Sequence, residues 1–144
     1  MTQSCLSKYK LSKRSLDRLS GCHPDLVRVV KRAIQIVGVD FTVSETVRAE
    51  ERQHELYYGT PKRTWTLESK HLIQDDGYSH AADLVPIENG ECAWDKCPLV
   101  AEAMFQAAEE EGVKIRWGGD WNQNGSSKDE VQRGSYDGPH FELI

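Results

Sequence analysis

The sequence lacks any long apolar run. Nothing in its 144 residues approaches the roughly 18 consecutive apolar residues of a membrane span. Residues 1–19 have no apolar h-region, so no secretory signal is expected there. Positive charge does not prevail. With 18 Lys+Arg against 23 Asp+Glu the formal charge is −5, which removes the broad positive field that drives nucleic-acid binding by counterion release. Cysteine is sparse: Cys5, Cys22, Cys92 and Cys97 suit neither a dense disulfide framework nor a paired CxxC zinc site. Reduced thiols in a cytosolic protein are the expectation, with Cys92 and Cys97 the pair to test for bridging. There is no internal repeat, low-complexity tract or interdomain linker. At about 100–200 residues per domain, one domain over residues 1–144 is expected, opening with an irregular polar arm over 1–20 that makes one short turn at 15–19.

What remains is a modestly hydrophobic chain with clear periodic segments. His23-Pro24-Asp25 reads as a helix start, and Leu26, Val29, Val30, Ala33, Ile34 and Val37 form one apolar helical face that Gly38 ends. Phe41-Thr42-Val43 reads as a short strand, and residues 49–58 as a more polar helix. Residues 80–85 form a strand candidate closed by Pro86, paired with 91–94 across the Asn89-Gly90 turn. Pro98 opens a helix with Val100, Ala101, Met104, Phe105 and Ala108 as its buried stripe and Gly112 as its stop. Residues 113–117 and 141–143 complete the strands. Helices around a small, mostly antiparallel sheet make this a single α+β domain.

The chemistry-bearing residues fall late in the chain. His71 lies in Ser69-Lys70-His71, His80 and Asp83 in His80-Ala81-Ala82-Asp83, and Asp137 and His140 in Asp137-Gly138-Pro139-His140. A catalytic zinc site takes three nitrogen or oxygen ligands and leaves one position for water. A nearby carboxylate then accepts the proton of the attacking water. The chain holds the parts for this: histidines and an aspartate as ligands, with one acid to spare. Each part alone is equally at home as a surface histidine or a turn aspartate, so spacing does not decide.

Ser69-x-His71, then His80-Ala81-Ala82-Asp83-Leu84, then Trp117-Gly118-Gly119-Asp120-Trp121, then Asp137-Gly138-Pro139-His140-Phe141 together resemble the phage-type L-alanyl-D-glutamate endopeptidases. These are grouped with the D-Ala-D-Ala carboxypeptidases, the vancomycin-resistance dipeptidases and the Hedgehog signalling fold. The stretches Ser15-Leu16-Asp17-Arg18-Leu19, His23-Pro24-Asp25-Leu26 and Glu51-Arg52-Gln53 extend the resemblance over nearly the whole chain. It implies one catalytic Zn2+ on His71, Asp83 and His140, with Asp137 as general base and Arg48 on the substrate carbonyl or oxyanion. Ser69 and Asp120 are implied in softer, supporting roles. One spacing departs from the family: His71 and Asp83 are twelve positions apart (83 − 71 = 12), five more than usual. The extra residues, within 73–79, read as a loop insertion, which costs little in closure entropy. His80 is the rival to His71, but on a strand positions three apart point to opposite faces.

The resemblance implies a zinc peptidase cleaving the L-Ala–D-Glu bond of peptidoglycan stem peptides, as a monomeric phage endolysin. No separate wall-binding domain is expected. Such a lysin waits in the host cytoplasm and reaches the cell wall after holin-dependent release. The alternatives are a D-Ala-D-Ala carboxypeptidase of the same fold and a catalytically inactive peptidoglycan-binding module. A metal-dependent nuclease is disfavoured by the −5 charge and the absence of a basic cluster near the motifs. Trp94, Trp117 and Trp121 fit either a glycopeptide cleft or ordinary packing. Glu109-Glu110-Glu111 reads as a solvated face, and residues 122–133 as a polar rim.

Overall fold

The computed structural model describes residues 8–60, 62, 69–121, 123, 128, 131 and 136–144. Most of the 122–133 rim and Cys5 lie outside these. Four helices and five strands are described: α1 (Lys13–Leu19), α2 (Pro24–Ile36), β1 (Asp40–Glu45), α3 (Glu50–Tyr58), β2 (Ala81–Glu88), β3 (Glu91–Cys92), α4 (Cys97–Glu111), β4 (Ile115–Trp117) and β5 (His140–Leu143). The sheet order is β1-β2-β5-β4, with β3 on the end of β2, and every pairing is antiparallel. The α+β expectation holds. Among the described residues no helix is long and apolar enough to cross a membrane.

Strand alternation divides the sheet into two faces. Val43, Ala82, Leu84, Ile115, Trp117, Phe141 and Leu143 join the apolar core with the buried stripes of α2 and α4. Asp83, His140, Glu142 and Arg116, interleaved with them, face the other way. Phe141 is fully buried and stacks on Trp117, so Trp117 belongs to the core, whereas Trp94 is exposed. The acidic run at the end of α4 is exposed, yet Glu110 and Glu111 pair with Arg32 and Arg28 of α2.

Four local expectations need correction. The arm expected over residues 1–20 carries α1, which begins on Ser12, whose Oγ accepts the Ser15 N–H. The helix forms because β1 is an edge strand whose outward backbone groups need partners. Ser15 Oγ accepts the Val43 N–H at 3.0 Å, and Arg18 donates to the Val43 carbonyl at 2.8 Å. Pro86 does not close β2, which runs on to Glu88. Its carbonyl faces the β3 side and accepts from Ala93, so its missing N–H falls in the gap where β5 has ended and β3 has not begun. Across the turn only Glu91 and Cys92 pair, and Asn89 and Gly90 both take positive φ (54° and 79°), the geometry of a type I′ hairpin. Phe105 is exposed, because the α4 stripe runs through 97, 100, 101, 104, 107 and 108 and leaves position 105 off the buried face. Cys92 (exposed) and Cys97 (buried) are both free thiols, and burial pushes the Cys97 thiol up to about 11.

Candidate active site

Sheet register assembles the site. Asp83 of β2 lies directly opposite His140 of β5, and Glu45 of β1 lies opposite Asp83. Three strands thus place Glu45, Asp83 and His140 in one row across the face away from the core. His71 is delivered to this row by the turn after residue 69. There the Ser69 hydroxyl accepts the His71 N–H at 3.1 Å, and the His71 carbonyl accepts the Arg48 N–H at 2.8 Å.

The three side chains converge. His71 Nε2 is 3.1 Å from Asp83 Oδ1, and His140 Nδ1 is 3.2 Å from His71 Nε2 and 3.3 Å from Asp83 Oδ1. The far nitrogen of each ring has its own acceptor. His71 Nδ1 donates to the Thr46 carbonyl at 2.9 Å, and His140 Nε2 donates to Glu142 at 2.8 Å. Glu142 is held in turn by Arg116 at 2.6 Å. Those outer bonds fix the tautomers and leave two nitrogen lone pairs and a carboxylate oxygen aimed at one point. A proton satisfies these atoms only in pairs. A divalent cation satisfies all three at once, so the donor set fits a metal of the two-imidazole, one-carboxylate kind.

Without an ion the cluster keeps a proton. Burial would push His140 down, but its bonds to Asp83 and Glu142 outweigh burial and carry it up to about 9. Burial would likewise raise Asp83, yet bonds from His140 and His71 hold its carboxyl far below the ordinary range.

Asp137 sits at the mouth of the site, in the turn that enters β5. Desolvation by the surrounding turn, and then the charge of Asp83, raise its pKa, while His140, His71 and Arg48 partly offset them. The turn is seated on the Trp117-Gly118 pair. Asp137 N–H donates to the Gly118 carbonyl at 2.8 Å, and Trp117 Nε1 donates to the Gly138 carbonyl at 2.6 Å. A Cβ on Gly118 would lie 2.3 Å from the Asp137 carbonyl oxygen and 3.1 Å from His140 Cβ. Gly118→Ala must therefore displace Asp137 and His140 together. Displacement by even about 1 Å is worth on the order of 100-fold in rate. A loss of that size with an unchanged circular-dichroism spectrum is the expected result, and full retention of activity would show that the turn adapts.

Arg48 lies beside the row, clamped by Glu45, which accepts from its Nε and Nη2, and by Gln53, which accepts from Nη1 at 2.9 Å. Gln53 is the buried side chain of α3, so that polar helix is anchored through the arginine. An open cleft of about 400 Å³ adjoins the site through Glu45 and Thr46 and is also lined by Asp17 and Arg18. Trp121 brings its ring to 5.2 Å from that of His140. Asp120 closes the turn after β4, its N–H donating to the Trp117 carbonyl.

His80 does not join this cluster. Its Nε2 lies 2.7 Å from Asp76, so the structure brings His71 to Asp83 and turns His80 away. Sequence reasoning missed Thr46, Glu45, Gln53 and Glu142. Glu142 was within reach, since His140-x-Glu142 on a strand puts both side chains on one face. The others act through backbone carbonyls or across elements and leave no local pattern.

A family model described as phage L-alanyl-D-glutamate peptidase matches residues 7–144. The L-alanyl-D-glutamate peptidase of Escherichia phage T5 is 36% identical over 141 residues, covering 94% of this chain and 98% of the relative. Among solved structures, the Serratia marcescens L-Ala D-Glu endopeptidase ChiX superposes with a TM-score of 0.75 at 35% identity, covering 95% of this chain and 92% of that one. The motifs, the fold and these matches agree: the chain belongs to the phage L-alanyl-D-glutamate peptidase family.

Proposed function

We propose that this protein is a zinc-dependent peptidoglycan peptidase that hydrolyses the L-Ala–D-Glu bond of stem peptides. The observation that carries the reading is the convergence of His71 Nε2, His140 Nδ1 and Asp83 Oδ1 beside a carboxyl, Asp137, whose pKa is raised. The activity named for the T5 and Serratia relatives supports the choice of bond. Two imidazoles and one carboxylate are a zinc donor set.

His71, Asp83 and His140 would hold the zinc ion, which when bound would supply Lewis-acid polarisation and lower the pKa of water from 15.7 to roughly 7. Asp137 accepts the proton of the attacking water at its carboxylate and returns it to the leaving amine. A raised pKa suits both halves of that shuttle. Arg48, immobilised by Glu45 and Gln53, presents a fixed positive charge to the developing oxyanion, with little reorganisation left for the moment of reaction. Thr46 and Ser69 hold His71, and Glu142 holds His140; Asp120 has a supporting role in the turn after β4. The protein would work as a monomeric single domain with one ion per active site. As a lysin it would wait in the host cytoplasm and reach the wall after holin-dependent release, which the phage origin of the T5 relative supports.

Mass spectrometry of purified peptidoglycan digested with the zinc-loaded protein tests the reading. New N-terminal D-Glu, abolished by a chelator and restored by zinc, is expected. Released D-Ala would identify a carboxypeptidase instead, and binding without any cleavage would identify an inactive module.

A further inference from the structure

Away from the active-site cluster a second group of ligand-type side chains converges: His23, Asp76 and His80. We propose that these three form a second divalent-cation site, of the zinc, cobalt and nickel class, that clamps the loop joining His71 to Asp83 onto the start of α2.

The geometry is specific. Asp76 Oδ1 is occupied by the Tyr78 N–H at 3.1 Å, which leaves Oδ2 for the two rings. His80 Nε2 lies 2.7 Å from that oxygen and His23 Nε2 lies 3.6 Å from it, with the imidazoles edge to face at 5.1 Å. Gly77, at φ +86°, makes the turn that brings Asp76 round to them. The ligands stand on a pinned backbone. His23 N–H donates to the Ser79 carbonyl at 2.9 Å, Ser79 N–H to Gly21 at 3.0 Å, and His80 N–H to Lys70 at 2.8 Å. Little chain entropy is therefore left to lose on binding, which favours affinity.

The chemistry selects the ion. Two imidazoles and a single carboxylate suit borderline transition metals, and are a poor set for calcium or magnesium, which take mostly oxygen. Asp76 is exposed and both histidines are partly so, so an ion can enter from solvent. Binding requires each ring to carry its proton on Nδ1. At His23 that atom now accepts the Asp25 N–H at 3.0 Å. The Asp25 carboxylate lies 3.9 Å away, so a small side-chain movement would bring it to accept from that atom instead, as carboxylates do behind metal-bound histidines. The site gives the twelve-position stretch from His71 to Asp83 a use: it supplies Asp76 and His80 and is held against the start of α2.

Titration with Co2+ tests it, reading bound metal per chain and thermal stability. Wild-type protein is expected to take up two ions, and His80→Ala, Asp76→Asn and His140→Ala one each. The double variant His80→Ala/His140→Ala should take none. Asp76 is a surface residue, so its variant should fold whatever becomes of His80. The two sites share no side chain: loss in His140→Ala reports only on the active site, and loss in His80→Ala or Asp76→Asn only on the second. Metal uptake that is the same as wild type in both His80→Ala and Asp76→Asn would overturn the proposal, whatever His140→Ala does.

Discussion

Asp137→Asn is expected to slow stem-peptide hydrolysis by about 10²–10⁴-fold, the usual contribution of a general acid–base group, while metal content and fold stay unchanged. Asparagine keeps the shape of the side chain and removes its capacity to take a proton. The backbone bonds that seat residue 137, to the Gly118 carbonyl and from the His140 N–H, do not depend on the carboxyl. Metal analysis and kcat/KM on the same preparation separate the two effects. The pH profile adds a second signature. The base must be ionised to act, and desolvation together with Asp83 raises its pKa, so activity should fall on the acid side at a pH above that of an ordinary aspartate. That acid limb should disappear in the variant. Near-wild-type turnover by Asp137→Asn would remove this residue from the mechanism.

His140→Ala is expected to lose the active-site ion and reduce hydrolysis to background. The histidine supplies one of the three converging atoms, and its removal leaves two donors of which one is already bonded to the other. The fold should survive, because Glu142 retains Arg116 at 2.6 Å when it loses the imidazole. A stability loss of about 1–3 kcal/mol, the cost of a buried acceptor left short of a partner, is expected in denaturant titration. The same histidine makes metal uptake pH-dependent. In the metal-free protein His140 keeps its proton up to about 9, so an ion entering below that pH must displace it. Affinity should therefore weaken as pH falls, by about tenfold per unit for a single displaced proton. Calorimetry in buffers of different ionisation enthalpy would show the released proton. Affinity that is flat from pH 6 to about 9 would contradict the protonated cluster.

Much of the fold was legible locally. Pro24 at a helix start, Gly112 at φ +69° ending α4 and the Asn89-Gly90 hairpin act within a few residues, and each sits where its backbone preference puts it. The errors have a common cause. α1, the continuation of β2 past Pro86 and the exposure of Phe105 are decided by what lies alongside an element, which periodicity does not report. His71, Asp83, His140 and Asp137 were readable as candidates because their motif order resembles a known family. Glu45, Gln53 and Thr46 were not, since they serve Arg48 and His71 through contacts that form only once β1, α3 and the turn after residue 69 meet.

By itself the sequence determined which chemistry was possible: no apolar run long enough for a membrane span, no strong positive field, and three histidines and two aspartates in turn and strand contexts, with His71 twelve positions before Asp83. Only the tertiary structure decided which histidine went where. The antiparallel register that sets Asp83 opposite His140, and the pairing of Ser79 with Cys22 that carries His80 toward His23, send the two rivals to different faces of the molecule. A one-residue slip in that register would turn Asp83 into the core. The convergence of His71, Asp83 and His140 is thus a property of the strand pairing as much as of the residues themselves.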